Sequence, residues 1–150
     1  MGRPGLKSGM EVRRADEEAE VEAALSVRRS VFVDEQGVPA HRELDGRDDA
    51  ATHFVACDGD RAVGAARLRQ YDPARAKVER VAVLPSERGR GLGRELMAAV
   101  ETQAAEEGYE AVFLHAQVPV VAFYEGLGYE VTSEAFEEAG IPHREMRKPL

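Results

Sequence analysis

Val81-Ala82-Val83-Leu84-Pro85 leads into Arg88-Gly89-Arg90-Gly91-Leu92-Gly93, and from there apolar residues recur at Leu92, Leu96, Val100 and Ala104. A strand, a tight glycine-rich turn and the head of a helix therefore arrive in one piece. Glycine admits positive φ and lets a ligand come close to backbone N–H groups. The first turn of a helix carries unpaired N–H groups and the positive end of the helix dipole. Together they predict an anion site, most naturally for phosphate, with Arg88, Arg90 and Arg94 adding charge.

Downstream, Gly108 closes a helix over residues 91–107, and Ala111–Ala116 is a near-continuous apolar run. Such a run marks a buried, parallel strand. Residues 119–126 read as a short helix, Tyr129-Glu130-Val131 as a strand, and 143–147 as a last strand in a tail with Gly and Pro punctuation. Upstream, residues 77–84, 62–71 and 52–57 read as a meander with turns at Asp58-Gly59-Asp60 and Asp72-Pro73-Ala74. Met10–Arg14 alternates as a first strand. Asp16 offers an N-cap for a helix with Val21, Leu25, Arg28 and Phe32 at helical spacing, ending near Gln36 and Gly37. A meander followed by a βαβ unit around the turn predicts an α+β, or mixed α/β, domain.

A chain of 150 residues is most simply one domain. Residues 10–150 carry it, and the Gly/Pro-rich residues 1–9 are expected to be a flexible lead. No stretch approaches the about 18 apolar residues of a membrane span, so no membrane partner is expected. The single cysteine, Cys57, excludes an internal disulfide framework and fits a reducing, cytoplasmic compartment. It lies in the apolar run His53–Cys57, as a buried strand thiol would. The net charge of −8 argues against nucleic-acid binding and mildly favours cationic substrates. Residues 38–50 read as a polar loop with His41, Glu43, Asp45, Asp48 and Asp49. Their spacing is not that of a metal loop, and no metal is expected.

Three phosphate-binding patterns compete for the glycine turn. A P-loop needs Gly-Lys followed by Ser or Thr, but Leu92 follows Gly91. A dinucleotide fingerprint counted from Gly89 needs a third glycine where Arg94 stands. The pattern R/Q-x-x-G-x-G/A after a strand is met by Arg88, Gly91 and Gly93. Here the chain resembles the GNAT superfamily of acetyl-CoA-dependent N-acetyltransferases. Phe123-Tyr124-Glu125-x-Leu127-Gly128-Tyr129 is similar to that family's second motif, at the matching separation. Val31-Phe32-Val33-x-Glu35-Gln36, Glu79–Val83, Leu114–Gln117 and Gly140–His143 resemble a subgroup of small prokaryotic members, and the resemblance spans roughly residues 10–148.

The resemblance implies a central mixed sheet of about six to seven strands flanked by about four helices. It implies acetyl-CoA as cosubstrate. Pyrophosphate would sit on the amides of residues 88–93, that is Arg88, Gly89, Arg90, Gly91, Leu92 and Gly93, with Arg94 adding charge. The pantetheine arm would pair with Val81, Ala82 and Val83, and an N–H near Val83 would polarise the thioester. Gln117, where many members carry Asn, would bond the same arm. Tyr124 would donate a proton to the departing thiolate. A tyrosine near pKa 10 can protonate a thiolate whose conjugate acid lies near about 8.5.

The base stays open. Glu79 lies two and four residues before Val81 and Val83, so an unbroken strand puts it on their face. A bulge, usual in this family, would change that parity. His53, His115 and His143 are the other candidates. Glu35, Glu43, Asp45 and Asp49 could attract a cationic amine, small molecule or peptide, and a homodimer is left open. The sequence also fits a second class, a non-catalytic acyl-CoA-binding module on the same fold.

Overall fold

The computed structural model describes residues 9–150. The expected flexible lead lies outside them except for Gly9, whose carbonyl accepts the Gly59 N–H at 3.0 Å. The described residues form two compact units, residues 9–67 with 80–100 and residues 68–79 with 101–150.

In the first unit, strand β1 (Met10–Ala15) pairs antiparallel with β2 (Thr52–Asp58), from Met10↔Asp58 to Ala15↔His53. The five central residues of β2 are buried, as expected of an apolar run covered on both faces. Strands β3 (Arg61–Gln70) and β4 (Arg75–Val83) contribute Arg61–Arg67 and Arg80–Val83 to this unit, in the order β1-β2-β3-β4.

Helix α1 (Glu18–Arg28) begins one residue later than expected. Glu17 is the N-cap residue, and Glu20 accepts its backbone N–H at 3.2 Å and that of Asp16 at 3.3 Å. Asp16 instead pairs with Arg14 at 2.5 Å. The buried stripe runs through Ala24, Val27, Arg28 and Val31, and Leu25 is only half-buried. Beyond Arg28 the chain widens into a π-helix, Arg29–Glu35, which no helical spacing signals. Ala24, Val27 and Val31 pack on Val55, Ala65 and Ala82. Each Val or Leu fully buried in such a core contributes about 1.5–3 kcal/mol relative to exposure. The expected polar loop 38–50 contains a short helix α2 (Ala40–Glu43) and a 3₁₀ turn at Asp48–Ala50. Helix α3 (Leu92–Glu106) leaves the glycine turn and buries Leu92, Leu96 and Val100 in this unit. A Cβ on Gly64 of β3 would stand 3.1 Å from both Leu96 and Ala56, so the close approach there requires glycine.

In the second unit the strand order is β3-β4-β5-β8-β6, with β7 on β8. Strand β5 (Ala111–Gln117) is parallel to β4, as its apolar run predicts. The β4–β5 ladder runs only from Arg75↔Ala111 to Val78↔Leu114, whereas β8 (Ile141–Pro149) pairs antiparallel with all of β5. The short strands Glu130–Val131 (β6) and Phe136–Glu138 (β7) complete the sheet. Helix α4 (Val121–Gly126) follows β5 through a 3₁₀ turn. The α+β class and the four helices are as expected. Among the described residues the sheet has eight strands, in keeping with the about six to seven expected; the one without a sequence signal is β7, three residues in a polar tail that lack an apolar run. β8 is longer than expected because its exposed charged residues mask a pairing that buries Met146 completely.

Candidate functional site

The glycine turn lies in the first unit. A 3₁₀ turn at Pro85–Glu87 follows β4, and Gly89 (φ 78°) and Gly91 (φ 84°) then take left-handed conformations. A Cβ on either would meet nothing within 4 Å, so backbone conformation and not space demands glycine. The Glu95 N–H closes the first turn of α3 on the Gly91 carbonyl at 3.1 Å. Leu92 is buried, Gly93 half-buried, and Arg90 and Arg94 are exposed. This is an open cradle at the head of a 15-residue helix, suited to a phosphate group.

Arg88 is engaged differently. Its Nε donates to the Val83 carbonyl at 3.0 Å, and its two terminal nitrogens grip Glu35 at 2.8 and 2.7 Å. The bond from Arg88 holds the Glu35 carboxyl below its usual range. Glu35, expected on the acceptor side, is thereby tied to the residue that opens the turn. The pair is solvent-accessible, so it contributes about 0–1 kcal/mol.

In the expected pantetheine edge, Ala82 is buried in the core and Val81 and Val83 are half-buried. Directly before them, Arg80 has φ 58°. A left-handed non-glycine residue costs about 1–2 kcal/mol. It also breaks the regular strand, so the expectation that Glu79 shares a face with Val81 and Val83 loses its premise.

Arg80 belongs to a closed ring of alternating charges. Arg28 Nε donates to Glu43 at 3.0 Å and its Nη1 to Asp48 at 2.7 Å. Arg67 binds Asp48 at 2.9 Å and Asp45 at 2.8 Å. Arg80 Nε donates to Glu43 at 2.9 Å and its Nη2 reaches Asp45 at 3.4 Å. Each acid bridges two arginines and each arginine two acids. Arg28 and Arg67 are completely buried and Glu43 nearly so. Glu43 and Asp45, expected to face a cationic amine, are neutralised inside this ring. His53 is buried beside it, its Nε2 placed 2.9 Å from the Asp48 carbonyl. Asp49, in contrast, is exposed. Burial pushes the Asp45 carboxyl up, but the bonds from Arg67 and the Arg47 N–H, with the Arg80 charge, bring it well below the ordinary range. Asp48 is likewise raised by burial and lowered further by Arg28 and Arg67.

Groups whose folded pKa is depressed add stability above their unfolded pKa and lose it as pH falls toward the folded value. The urea midpoint of the protein is therefore expected to hold between pH 7 and 5 and to fall steadily below about pH 4, the unfolded aspartate range. A midpoint unchanged at pH 3 would show that the ring does not stabilise the fold through its charges.

The second unit holds Tyr124, Gln117, Glu79 and His115. Tyr124 is buried on α4, its ring edge-to-face with Phe123 at 5.0 Å and with Tyr129 at 5.7 Å. Burial raises its hydroxyl well above the usual tyrosine value, so it stays protonated. Phe123 itself is 38% exposed. Gln117 ends β5, opposite His143. Glu79 is held by Arg69 Nε at 2.5 Å and by Lys77 Nζ at 3.3 Å. His115 Nδ1 lies 3.1 Å from Glu138 Oε1 and its Nε2 3.5 Å from Glu145. The bond with His115 brings the Glu138 carboxyl down to about 2. His143 Nδ1 lies 2.6 Å from the Ile141 carbonyl. Sequence reading passed over Glu138 because it stands among the acids of the unread strand β7. Cys57 is buried and its thiol raised by burial, as befits a core residue. Among the described residues, no group of three or more His, Cys, Asp or Glu could hold a metal ion, and no helix is long and apolar enough to cross a membrane.

Residues 15–150 match the family described as acetyltransferase (GNAT) domain. The chain is 44% identical over 135 residues to YjcF of Bacillus subtilis (strain 168), an uncharacterized N-acetyltransferase, covering 89% of this chain and 96% of YjcF. Its fold is similar to the crystal structure of Escherichia coli ElaA, with TM-score 0.82, 29% identity and coverage of 93% and 99%. It is also similar to an acyl-CoA N-acyltransferase from Pseudomonas aeruginosa, with TM-score 0.80, 29% identity and coverage of 93% and 97%.

Proposed function

The chain belongs to the GNAT acetyltransferase family, and from that premise we propose that it transfers the acetyl group of acetyl-CoA to the nitrogen of a primary amine, a small molecule or a peptide, by direct attack within a ternary complex. The observation that carries this reading is the pair of left-handed glycines, Gly89 and Gly91, at the head of α3. Amides freed at a helix head, with positive charge from Arg90 and Arg94, suit the pyrophosphate of coenzyme A. The Pseudomonas relative, named for acyl-CoA, supports the same donor.

In this reading, strand β4 offers the edge Val81–Val83 to the pantetheine arm, and Gln117 adds an amide contact. An N–H near Val83 stabilises the negative charge that develops on the thioester oxygen when the amine lone pair attacks. The C–S bond then breaks, its electron pair goes to sulfur, and Tyr124 supplies the proton. No covalent enzyme intermediate is needed, because holding both reactants together removes the entropy of their encounter. Cys57 has no part in it.

The attacking nitrogen must shed a proton. We assign its uptake to Glu79, through solvent. Accepting it would disrupt that carboxylate's ion pairs with Arg69 and Lys77. This favours acceptors that are readily neutral. At pH 7, deprotonating an amine of pKa near 8 costs about 1.4 kcal/mol, against about 4.6 for a lysine-like amine near 10.4. His115 lies on the same unit between Glu138 at 3.1 Å and Glu145 at 3.5 Å, and these two carboxylates suit an acceptor that carries a second, cationic group beside the neutral attacking amine.

Thiol release from acetyl-CoA, followed over small amines, aminoglycosides, polyamines and peptides, tests the reading. Amine-dependent release with formation of the amide is expected. Binding of coenzyme A without turnover of any amine would replace the enzyme by an acyl-CoA-binding module.

A further inference from the structure

Arg80 combines two facts that need each other. It is one of only two non-glycine residues with positive φ among the described residues, and it stands inside a strand. Its guanidinium is also the most heavily anchored on β4. Nε donates to the Glu43 carboxylate at 2.9 Å, and Nη2 donates to the carbonyls of Glu43 at 3.2 Å and Arg42 at 3.3 Å. A left-handed side-chain-bearing residue persists only where its surroundings over-determine it. Here the surroundings are the partly buried ring, whose other members are Arg28, Glu43, Asp45, Arg67 and Asp48. The other positive-φ residue, Ala139, sits at a hairpin turn before Gly140, where such a conformation is ordinary. Arg80 instead precedes Val81, and along the chain the β4–β5 ladder has already stopped at Val78. The ring neutralises the fully buried Arg28 and Arg67, and it also holds the guanidinium of the part-buried Arg80. Neutral packing is often as stable as a buried ion network, which makes a specifying role the better account of its presence.

We infer that Arg80 is a positioning residue. The ring clamps its guanidinium, the clamp enforces the left-handed backbone at position 80, and that backbone sets the direction in which Val81–Val83 continue as an edge for the donor's arm. Glu43 and Asp45 then act on the donor side through Arg80 and do not meet the acceptor. The inference rests on the reading that β4 receives coenzyme A, and its test separates the two.

Glycine takes the left-handed conformation without a Cβ penalty and alanine does not. Arg80→Gly and Arg80→Ala both lose the guanidinium, so they differ only in how readily the backbone keeps its turn. Calorimetric titration of the purified full-length chain with coenzyme A is expected to show affinity within about threefold of the wild type for Arg80→Gly. For Arg80→Ala a loss of about tenfold or more is expected, which corresponds to about 1.4 kcal/mol. Backbone carbon chemical shifts at position 80, measured without ligand, should report the left-handed state in the wild type and in Arg80→Gly and its loss in Arg80→Ala. Should Arg80→Ala not fold, Glu43→Gln replaces it. It should weaken binding several-fold, and adding Arg80→Gly to it should restore affinity. Equal losses in the glycine and alanine variants, or no rescue of Glu43→Gln by glycine, would overturn the inference. A wild type that shows the left-handed signature but does not bind coenzyme A would sink the donor reading and, with it, the role assigned to Arg80. A wild type that binds coenzyme A while its signature is unchanged in Arg80→Ala would sink the clamp alone.

Discussion

Tyr124→Phe is expected to lower kcat about 100-fold or more, within the range typical of a lost proton donor, while the KM for acetyl-CoA moves less than about threefold. The substitution isolates one atom. The Tyr124 ring is fixed by edge-to-face contacts with Phe123 and Tyr129, and phenylalanine fills the same space. Tyr129 is itself held, because its hydroxyl donates to Glu101 at 2.8 Å and Lys148 donates to the other oxygen of that carboxylate at 2.8 Å. The Tyr129 side of the ring is thus held in place, and losing the hydroxyl should leave the melting temperature nearly unchanged. Without that proton, sulfur must leave as a bare thiolate. Burial raises the Tyr124 hydroxyl above its ordinary value, so the alkaline limb of kcat should not reflect its ionisation below about pH 10. Burial penalises a thiolate in the same way, so a donor that holds its proton tightly can still deliver it to sulfur. Steady-state kinetics over an amine panel decide the matter. An unchanged kcat for every amine would falsify the role.

The parts that were legible in the sequence are those set by local chemistry. The glycine turn could be read because positive φ and a helix head are written in residue types a few positions apart. β2 and β5 could be read because strands covered on both faces show continuous apolar runs. The ion ring could not, since it joins residues up to about fifty positions apart and no periodicity encodes such pairing. It did leave a trace. Arg28 falls on the apolar stripe of α1, and Arg67 stands between Ala66 and Leu68 in the apolar run of β3. A charge in such a place must find a partner when buried. The acids to look for were those of 38–50, which composition alone assigned to solvent or to substrate. The π-helical turn and the left-handed Arg80 left no trace, because both arise from tertiary contacts that override local preference. The bulge parity that decides where Glu79 faces depends on Arg80, so the least legible residue of β4 governs the reading of its neighbour.

Gly91→Val is expected to weaken coenzyme A binding about 30-fold or more, or about 2 kcal/mol, with little loss of thermal stability. Both halves follow from the geometry. At φ 84° a β-branched residue is a genuine outlier, yet a Cβ there meets nothing within 4 Å. The Gly91 carbonyl stays bonded to the Glu95 N–H at 3.1 Å, so the turn relieves the strain by rotating the peptide that precedes Gly91, and no packing is lost when it does. Rotation takes the N–H of that peptide out of the cradle, and the penalty appears as affinity. Gly108 is the matched control. It has φ 87° and equally open space, but it terminates α3, where the Gly108 N–H bonds to Ala105 at 3.1 Å and the Tyr109 N–H to Ala104 at 3.2 Å. Those bonds oppose rotation, so Gly108→Val should keep its backbone and lower the melting temperature by about 4 °C or more, with the Kd for coenzyme A unchanged. The same left-handed angle thus has opposite consequences in the two places. Titration calorimetry and thermal unfolding of both variants read them out. If Gly91→Val lost stability and kept its affinity, as expected of Gly108→Val, the turn would be a structural corner and the phosphate would have to bind elsewhere.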